Sequence, residues 1–600
     1  MSQQDNKKIA KCLYRASAED LGKIPGNPVA YWLNKETYKL FSNNDLLRDI
    51  SRPKVGLNTT DNNLYLRLWH EVDISRAGFD MLSREAAIKS GKQWFPYNKG
   101  GGFRRWYGNC DYFLNWRNDG EDIKNAIAND PVKQAGGRVV NEGCYFKPSI
   151  SWSLAGAKKF SIRVSPKGFV FDVGGSSIFP EHADMLSMAA FLSSSVADYL
   201  MGAMNPTFNF QAGNVAALPI VTIEGQREVL ERIALCSIDI HKDDWNGYET
   251  SWGFTCLSLV NLYQKELLLR ANYHNLRENW LKTNLEIKHL EEENNRLFID
   301  AYGLQDELTP EVPLSEITLT CNPHYRYGGN LTDKEREERL QSDTIAELIS
   351  YAIGCMMGRY SLDREGLVYA HAANEGFKAL VEEGAYATFA ADDDGILPLT
   401  SENWFEDDVA ARIEQFVASV WGNENLEENL NFIADSLCLY AIKPVKKGGE
   451  TARETIRRYL SSQFYKDHLK TYKKRPIYWL FSSGKEKAFE CLVYLHRYNE
   501  STLPRMRTEY VTPLLGQMAS RIERKRMEQT EASTAEAKRI AKEIDSLTMQ
   551  LSELRAFDDQ LKHHADMRIT LDLDDGVKVN YGKFGTLLSE VKAITGDKGE

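Results

Sequence analysis

No apolar run in the sequence approaches the ~18 residues that a membrane-spanning helix needs. The first residues, MSQQDNKKIAK, lack the apolar stretch of a signal peptide. The nine cysteines, at 12, 110, 144, 236, 256, 321, 355, 438 and 491, are scattered. No two stand three apart, which excludes a zinc knuckle or a Cys-x-x-Cys redox pair. An odd number of isolated thiols fits a reduced, cytoplasmic setting. Gly-x-Ser-x-Gly, Gly-x-x-x-x-Gly-Lys-Ser/Thr and His-Glu-x-x-His are all missing. The adjacent His563 and His564 diverge by ~100° on a helix and cannot share a metal, so no metal site is expected. There is neither a low-complexity tract nor an internal repeat.

What remains is the composition of a globular protein, 42% hydrophobic and 26% charged over 600 residues. Such a length suggests three to five units of roughly 100–200 residues. The net charge of −11 argues against a simple basic nucleic-acid binder, but it is unevenly spread. Residues 1–225 carry +5 and the remainder −16. Within 86–167 there are 14 basic against 6 acidic residues, or +8. One segment can therefore face phosphates while the rest repels them.

The patterning predicts an α+β fold. Residues 1–225 are rich in glycine, proline, asparagine and aromatics, with short strand-like runs. Phe160, Ile162 and Val164 alternate with polar residues, then Ser165-Pro166-Lys167-Gly168 supplies a type I turn, then Phe169, Phe171 and Val173 alternate again. A hairpin is expected, with Ser161, Arg163 and Asp172 on its polar face. In 226–300, Leu269, Tyr273, Leu276, Trp280, Ile287, Leu290 and Leu297 mark a long amphipathic helix. Residues 301–445 are mainly helical and acidic, with Asp392-Asp393-Asp394-Gly395 as a loop. Lys446-Lys447-Gly448-Gly449 opens a mixed region, 446–512. The last region, 513–600, holds a second long helix over about 515–565, where Ile540, Ile544, Leu547, Leu551, Leu554 and Leu561 keep a coiled-coil rhythm.

Two tetrapeptides, Asn322-Pro323-His324-Tyr325 and Asn205-Pro206-Thr207-Phe208, resemble the Asn-Pro-Pro-Tyr loop that holds a flipped base in amino-methyltransferases. Both lack the second proline. The nearest glycine turn for a methyl-donor cofactor, Phe171 through Gly175, lacks Gly-x-Gly spacing. No catalytic residue is assigned. The prominent feature is a basic-aromatic cluster: Trp94, Phe95, Tyr97, Lys99, the glycines 100–102, Phe103, Arg104, Arg105, Trp106, Tyr107 and Asn109. Cations position phosphates, while arginine and asparagine read guanine and adenine edges bidentately. Lys147, Lys158, Lys159, Arg163 and Lys167 extend the same sign. A structural reading stands beside this one, with core aromatics and merely solvated lysines. The stretch Tyr472 through Trp479, with Lys473, Lys474 and Arg475, reads more readily as a buried strand with basic residues leading into it than as a nucleic-acid contact.

Several stretches together resemble the C-terminal half of the PglX family, the adenine-specific DNA methyltransferases of bacteriophage-exclusion (BREX) systems, which are related to type IIG restriction-modification enzymes. They are Lys23 through Trp32, Arg105 through Asn109, Asn205 through Pro219, Asp244 through Phe254, Asn294 through Val312, Glu347 through Tyr360, Lys474 through Gly484 and Asp572 through Phe584. The resemblance implies that 1–225 is a target-recognition domain for double-stranded DNA, with the helices after it as spacer. It places S-adenosylmethionine and the catalytic motif in an N-terminal half outside this chain, which makes that half and other defence proteins the expected partners, with no membrane. On this reading Lys99, Arg104, Arg105, Tyr107, Asn109, Lys147, Lys158, Lys159, Arg163 and Lys167 face DNA. Because Arg105 lies in a stretch shared by a family that reads many sequences, the base readers could instead lie in 86–104 or 145–165. Two alternatives stand beside this reading: a protein-interaction scaffold, and a self-sufficient methyltransferase using Asn322-Pro323-His324-Tyr325.

Overall fold

A computed structural model describes residues 17–155, 159–181, 184–205, 207, 209–260, 266–445 and 449–596. Lys158, Pro206, Phe208 and the Lys446-Lys447-Gly448 loop lie outside the described residues. The fold is α+β, with three small sheets among many helices. The chain packs as two compact units that interleave in sequence. Unit 1 takes in the described residues up to Trp69, then Arg76–Trp245 and Glu278–Asn330. Unit 2 takes in His70–Ser75, Asn246–Arg277 and the chain from Leu331 onward. Residues 278–330 pack with Arg76–Trp245 and the residues up to Trp69 rather than with their sequence neighbours.

Unit 1 has two sheets. The first has strand order β1-β3-β2-β6, from β1 (Leu66–Leu68), β2 (Trp94–Asn98), β3 (Tyr112–Asn115) and β6 (Val170–Phe171). The second has order β5-β4-β7, from β4 (Ser149–Trp152), β5 (Ile162–Ser165) and β7 (Ser177–Ile178). The expected hairpin does not form. β5 pairs antiparallel with β4, placing Trp152 opposite Ile162, whereas β6 pairs parallel with β2 in the other sheet. The predicted polar face is also buried at Ser161, Arg163 and Asp172. Both flanks of the turn are covered on two sides, so alternation of residue type does not mark a solvent face here. Helices α1 (Met185–Leu192) and α2 (Ser195–Met204) close over the second sheet through Ala189, Leu192, Leu200 and Ile162.

The expected apolar stripe falls on one long helix, α4 (Leu269–Tyr302), which follows α3 (Arg227–Asn246). The apolar stripe of α4 serves both cores. Leu269 and Tyr273 are buried in unit 2, and Ile287, Leu290, Phe298 and Ile299 in unit 1.

Unit 2 is built on α5 (Asp333–Met356), α6 (Val409–Trp421), α7 (Leu426–Leu437), α8 (Ala452–Tyr459) and α9 (Tyr465–Thr471), around the sheet β8-β10-β9. Its strands are β8 (Ile396–Pro398), β9 (Tyr478–Ser482) and β10 (Glu490–Tyr494). Alternate residues sort to opposite faces: Tyr478, Leu480 and Leu492 join one core, Trp479, Phe481 and Val493 the other. This double burial is why the strand reads as a continuous aromatic run. The last long helix is broken into α10 (Thr512–Glu531) and α11 (Thr534–Asp566). Ser533 caps α11 by accepting from the Glu536 N–H, a Ser-x-x-Glu signature that the heptad rhythm masked. The rhythm itself is real, since Ile540, Ile544, Leu547, Leu551, Leu554 and Leu561 are all buried.

Candidate nucleic-acid interface

The basic-aromatic cluster begins as β2 ends. Gly100, at φ +83°, lies so close to the Gly174 carbonyl that a Cβ there would sit 2.5 Å from its oxygen. Gly101 donates its N–H to Ser153 Oγ at 2.9 Å, and the Asn109 amide donates to the Gly102 carbonyl at 3.0 Å. The three glycines therefore shape a pinned turn. Beyond it, Trp106 donates its backbone N–H to the Ile162 carbonyl and accepts from the Val164 N–H, so the loop runs alongside β5.

The arginines of this loop point inward. Arg104 is 6% and Arg105 7% exposed. Arg104 Nη2 donates to Asp244 at 2.7 Å and to Thr320 Oγ1 at 3.0 Å, and its guanidinium stacks over the Trp245 ring at 4.7 Å. Asp244 also accepts the N–H groups of Thr320 and Cys321. Arg105 Nη1 donates to Glu291 at 2.6 Å and Nη2 to Glu316 at 3.3 Å. The second oxygen of Glu291 accepts the Trp106 indole N–H at 2.9 Å, and burial pushes this carboxyl above the usual carboxylate range. The Arg105 backbone N–H donates to Thr318, whose hydroxyl lies 3.2 Å from His241 Nε2. Burial holds that imidazole down to about 3, which keeps it neutral. Arg163 is buried too, donating to Ser153 Oγ at 3.1 Å, and burial lowers its guanidinium to about 10.

The expectation that Arg104, Arg105 and Arg163 face DNA is corrected by this geometry. A guanidinium sealed from solvent, with its donors spent on carboxylates and hydroxyls, has none to offer a base edge. Tyr107 is buried as well, and Asn109 is held by Gly102. Lys99 lies 3.7 Å from Asp172, and Lys159 is ion-paired with Glu316 at 2.6 Å. Lys147 and Lys167 differ. Both are exposed, and neither has an ion-pair partner among the described residues. They lie side by side because Phe146 donates to the Phe169 carbonyl and accepts from the Gly168 N–H. Lys89, Arg117 and Arg138 are exposed as well. The residues that sequence reasoning missed are the acids: Asp244, Glu291 and Glu316. Asp244 lay in a stretch already singled out, next to the Trp245 on which Arg104 stacks.

The two catalytic alternatives meet the same test. Asn322 is buried; its amide donates to the Leu314 and Ile317 carbonyls, each at 2.8 Å, and its oxygen accepts the His324 N–H at 3.1 Å. Tyr325 donates to the Phe103 carbonyl at 2.5 Å. This tetrapeptide is a capped helical turn, buried at Asn322, whose amide donors are spent on the Leu314 and Ile317 carbonyls. The 171–175 turn does not fit S-adenosylmethionine either. Asp172 accepts from Tyr97 and Gly174, and a Cβ at Gly175 would meet the Asn98 carbonyl at 2.4 Å, so the turn is filled by the protein itself. Among the described residues no group of three or more His, Cys, Asp or Glu side chains could hold a metal, and no helix is long and apolar enough to cross a membrane.

No family model matches the chain. It is 49% identical over 593 residues to an adenine-specific methyltransferase BrxX of Escherichia coli O9:H4 (strain HS), an alignment covering 98% of this chain and 47% of that protein. It is 38% identical over 584 residues to an adenine-specific methyltransferase PglX of Lacticaseibacillus casei (strain Zhang), covering 95% of this chain and 45% of that protein. The homology to these adenine-specific methyltransferases therefore runs through nearly the whole chain, and the chain spans about half the length of the curated relatives it matches.

Proposed function

We propose that this chain reads double-stranded DNA for an adenine-N6 methyltransferase of a BREX-type phage-defence system, and that the S-adenosylmethionine-binding half of such an enzyme corresponds to the part of the relatives this chain does not match. The observation that carries the reading is the near-complete match of this chain to about half of each relative. The Asn322 turn, closed on its own carbonyls, and the 171–175 turn, filled by Asp172 and its partners, support the division. The DNA-facing surface of unit 1 is assigned to exposed cations, Lys147 and Lys167 foremost, with the buried Arg104–Asp244 and Arg105–Glu291 pairs fixing the loop that carries the glycine turn. Lys158, Lys159 and Lys99 remain candidates for backbone contact in this proposal.

The test is titration of the whole chain with a duplex library across a salt series. The reading requires affinity that falls steeply with salt, because cations that neutralise phosphates release counterions. It also requires no methyl transfer to DNA from labelled S-adenosylmethionine by this chain alone. Affinity that ignores salt would favour the protein-interaction scaffold, and labelled DNA would restore the self-sufficient enzyme.

A further inference from the structure

A second island of positive charge lies in unit 2. Residues 441–510 hold 16 basic against 7 acidic residues, a net +9 directly after the acidic 331–440. Several of these cations are spent. Arg453 pairs with Glu414 and Glu427, Arg457 with Asp408, Arg458 with Glu450, Lys487 with Glu490 and Arg507 with Asp558. A group of exposed lysines gathers at α9 and the turn that ends it. Lys466 and Lys470 are a turn apart on α9, and Lys473 and Lys474 follow one turn on; all four are exposed. Lys466, Lys470 and Lys474 have no ion-pair partner among the described residues. The one acid of the segment, Asp467, is turned to Tyr459, whose hydroxyl donates to it at 3.0 Å. The opposite face of α9 is sealed by His468, which stacks on Tyr478 and accepts the N–H groups of Ile477 and Tyr478.

The backbone carries an independent sign. The end of α9 is a Schellman turn: the Lys474 N–H bonds the Leu469 carbonyl at 2.7 Å and the Lys473 N–H that of Lys470 at 3.2 Å. Glycine is the usual residue at the left-handed position of this turn. Here Lys473 has φ +51° and Lys474 follows at +59°. Two successive β-carbon-bearing residues are held in a conformation that disfavours them. The helix dipole rewards a cation near a C-terminus, but its reach ends within the last turn and it asks for no left-handed lysine.

We propose that Lys466, Lys470, Lys473 and Lys474 form a second contact surface, on unit 2, for the phosphate backbone of duplex DNA. The choice of DNA rests on the recognition reading above; the charge stripe does not. Two cations a turn apart on α9 and two more in the turn that ends it suit a linear polyanion, and with no exposed aromatic or amide among them they would bind without regard to sequence.

The experiment uses the full chain and a duplex of random sequence. Lys466→Gln, Lys470→Gln and Lys474→Gln combined should make the slope of log affinity against log salt shallower by about 2 to 3, near 0.9 per contact, and weaken binding at least tenfold at about 50 mM salt. The matching Lys→Arg triple should restore it. Lys473→Gly gives opposed readouts: relief of backbone strain should raise the thermal midpoint while DNA affinity falls. An unchanged salt slope in the glutamine triple, with DNA still bound and lost on substituting Lys147 and Lys167, overturns this surface and leaves the recognition reading standing. No DNA binding by the unaltered chain overturns both. Binding of the stripe to phosphatidylserine vesicles in place of DNA also overturns it.

Discussion

Replacement of Arg105 separates a structural arginine from a base reader. In Arg105→Met, Glu291 loses its cation while remaining 3% exposed. Removing one partner of a buried ion pair typically costs about 3–5 kcal/mol, because an uncompensated charge stays behind. Unit 1 comprises about 290 residues, so its unfolding entropy is roughly 0.6 kcal/mol/K and the loss corresponds to about 5–8 °C in its melting transition. Differential scanning calorimetry reads this directly, and a chain of two units can show two transitions. The double change Arg105→Met with Glu291→Gln should recover at least half the loss. The new amide oxygen still accepts the Trp106 indole N–H, and Glu316 keeps Lys159. DNA affinity per folded molecule should stay within about twofold in both variants. An unshifted transition together with affinity weakened tenfold, which is about 1.4 kcal/mol, would put Arg105 on the DNA and refute the buried-pair argument.

Lys147→Gln with Lys167→Gln should leave the melting transition in place and make the salt slope of duplex binding shallower by about 0.9 for each contact removed, measured by anisotropy. Leu554→Ala, at a fully buried position of α11, should destabilise unit 2 by about 2–5 kcal/mol in urea unfolding. Burial raises the Glu249 carboxyl from about 4.5 to about 7. Its contribution is therefore full below pH ~4.5 and is lost as pH rises through 7, about 3 kcal/mol in all. Glu249→Gln, which stays neutral, should remove that slope; a wild-type-minus-variant difference that is flat between those pH values would show that Glu249 is not the group. Asn322→Ala should lower the unit 1 transition, since two buried carbonyls lose their donor, by about 1–3 kcal/mol.

The parts of the fold that were legible in the sequence are those set by local periodicity. The heptads of α11 and the stripe of α4 were plain because a helix shows its buried face to itself every three or four residues. The hairpin was not, because Phe160–Val164 and Phe169–Val173 each satisfied the strand pattern while their partners lay in β4 and β2. Nothing local tells a strand which neighbour it will have. The site suffered the same blindness. Arg104 and Arg105 read as exposed because their acids come 140 and 186 residues later. Composition could register the positive charge, but not that it is cancelled in three dimensions. Lys147 and Lys167 drew less notice than the arginines, and they are among the cations the fold leaves uncovered.

The interleaving of the chain bears on where such proteins can be recombined. A transplant of residues 1–225 would leave behind Asp244, Glu291 and Glu316, and with them the groups that make the arginine loop soluble in its own interior. A recombinant that moves 1–69, 76–245 and 278–330 together would carry the whole electrostatic lock. Swaps between homologues that respect this discontinuous boundary should stay folded, and those cut at the apparent linear border should be cleared as misfolded chains.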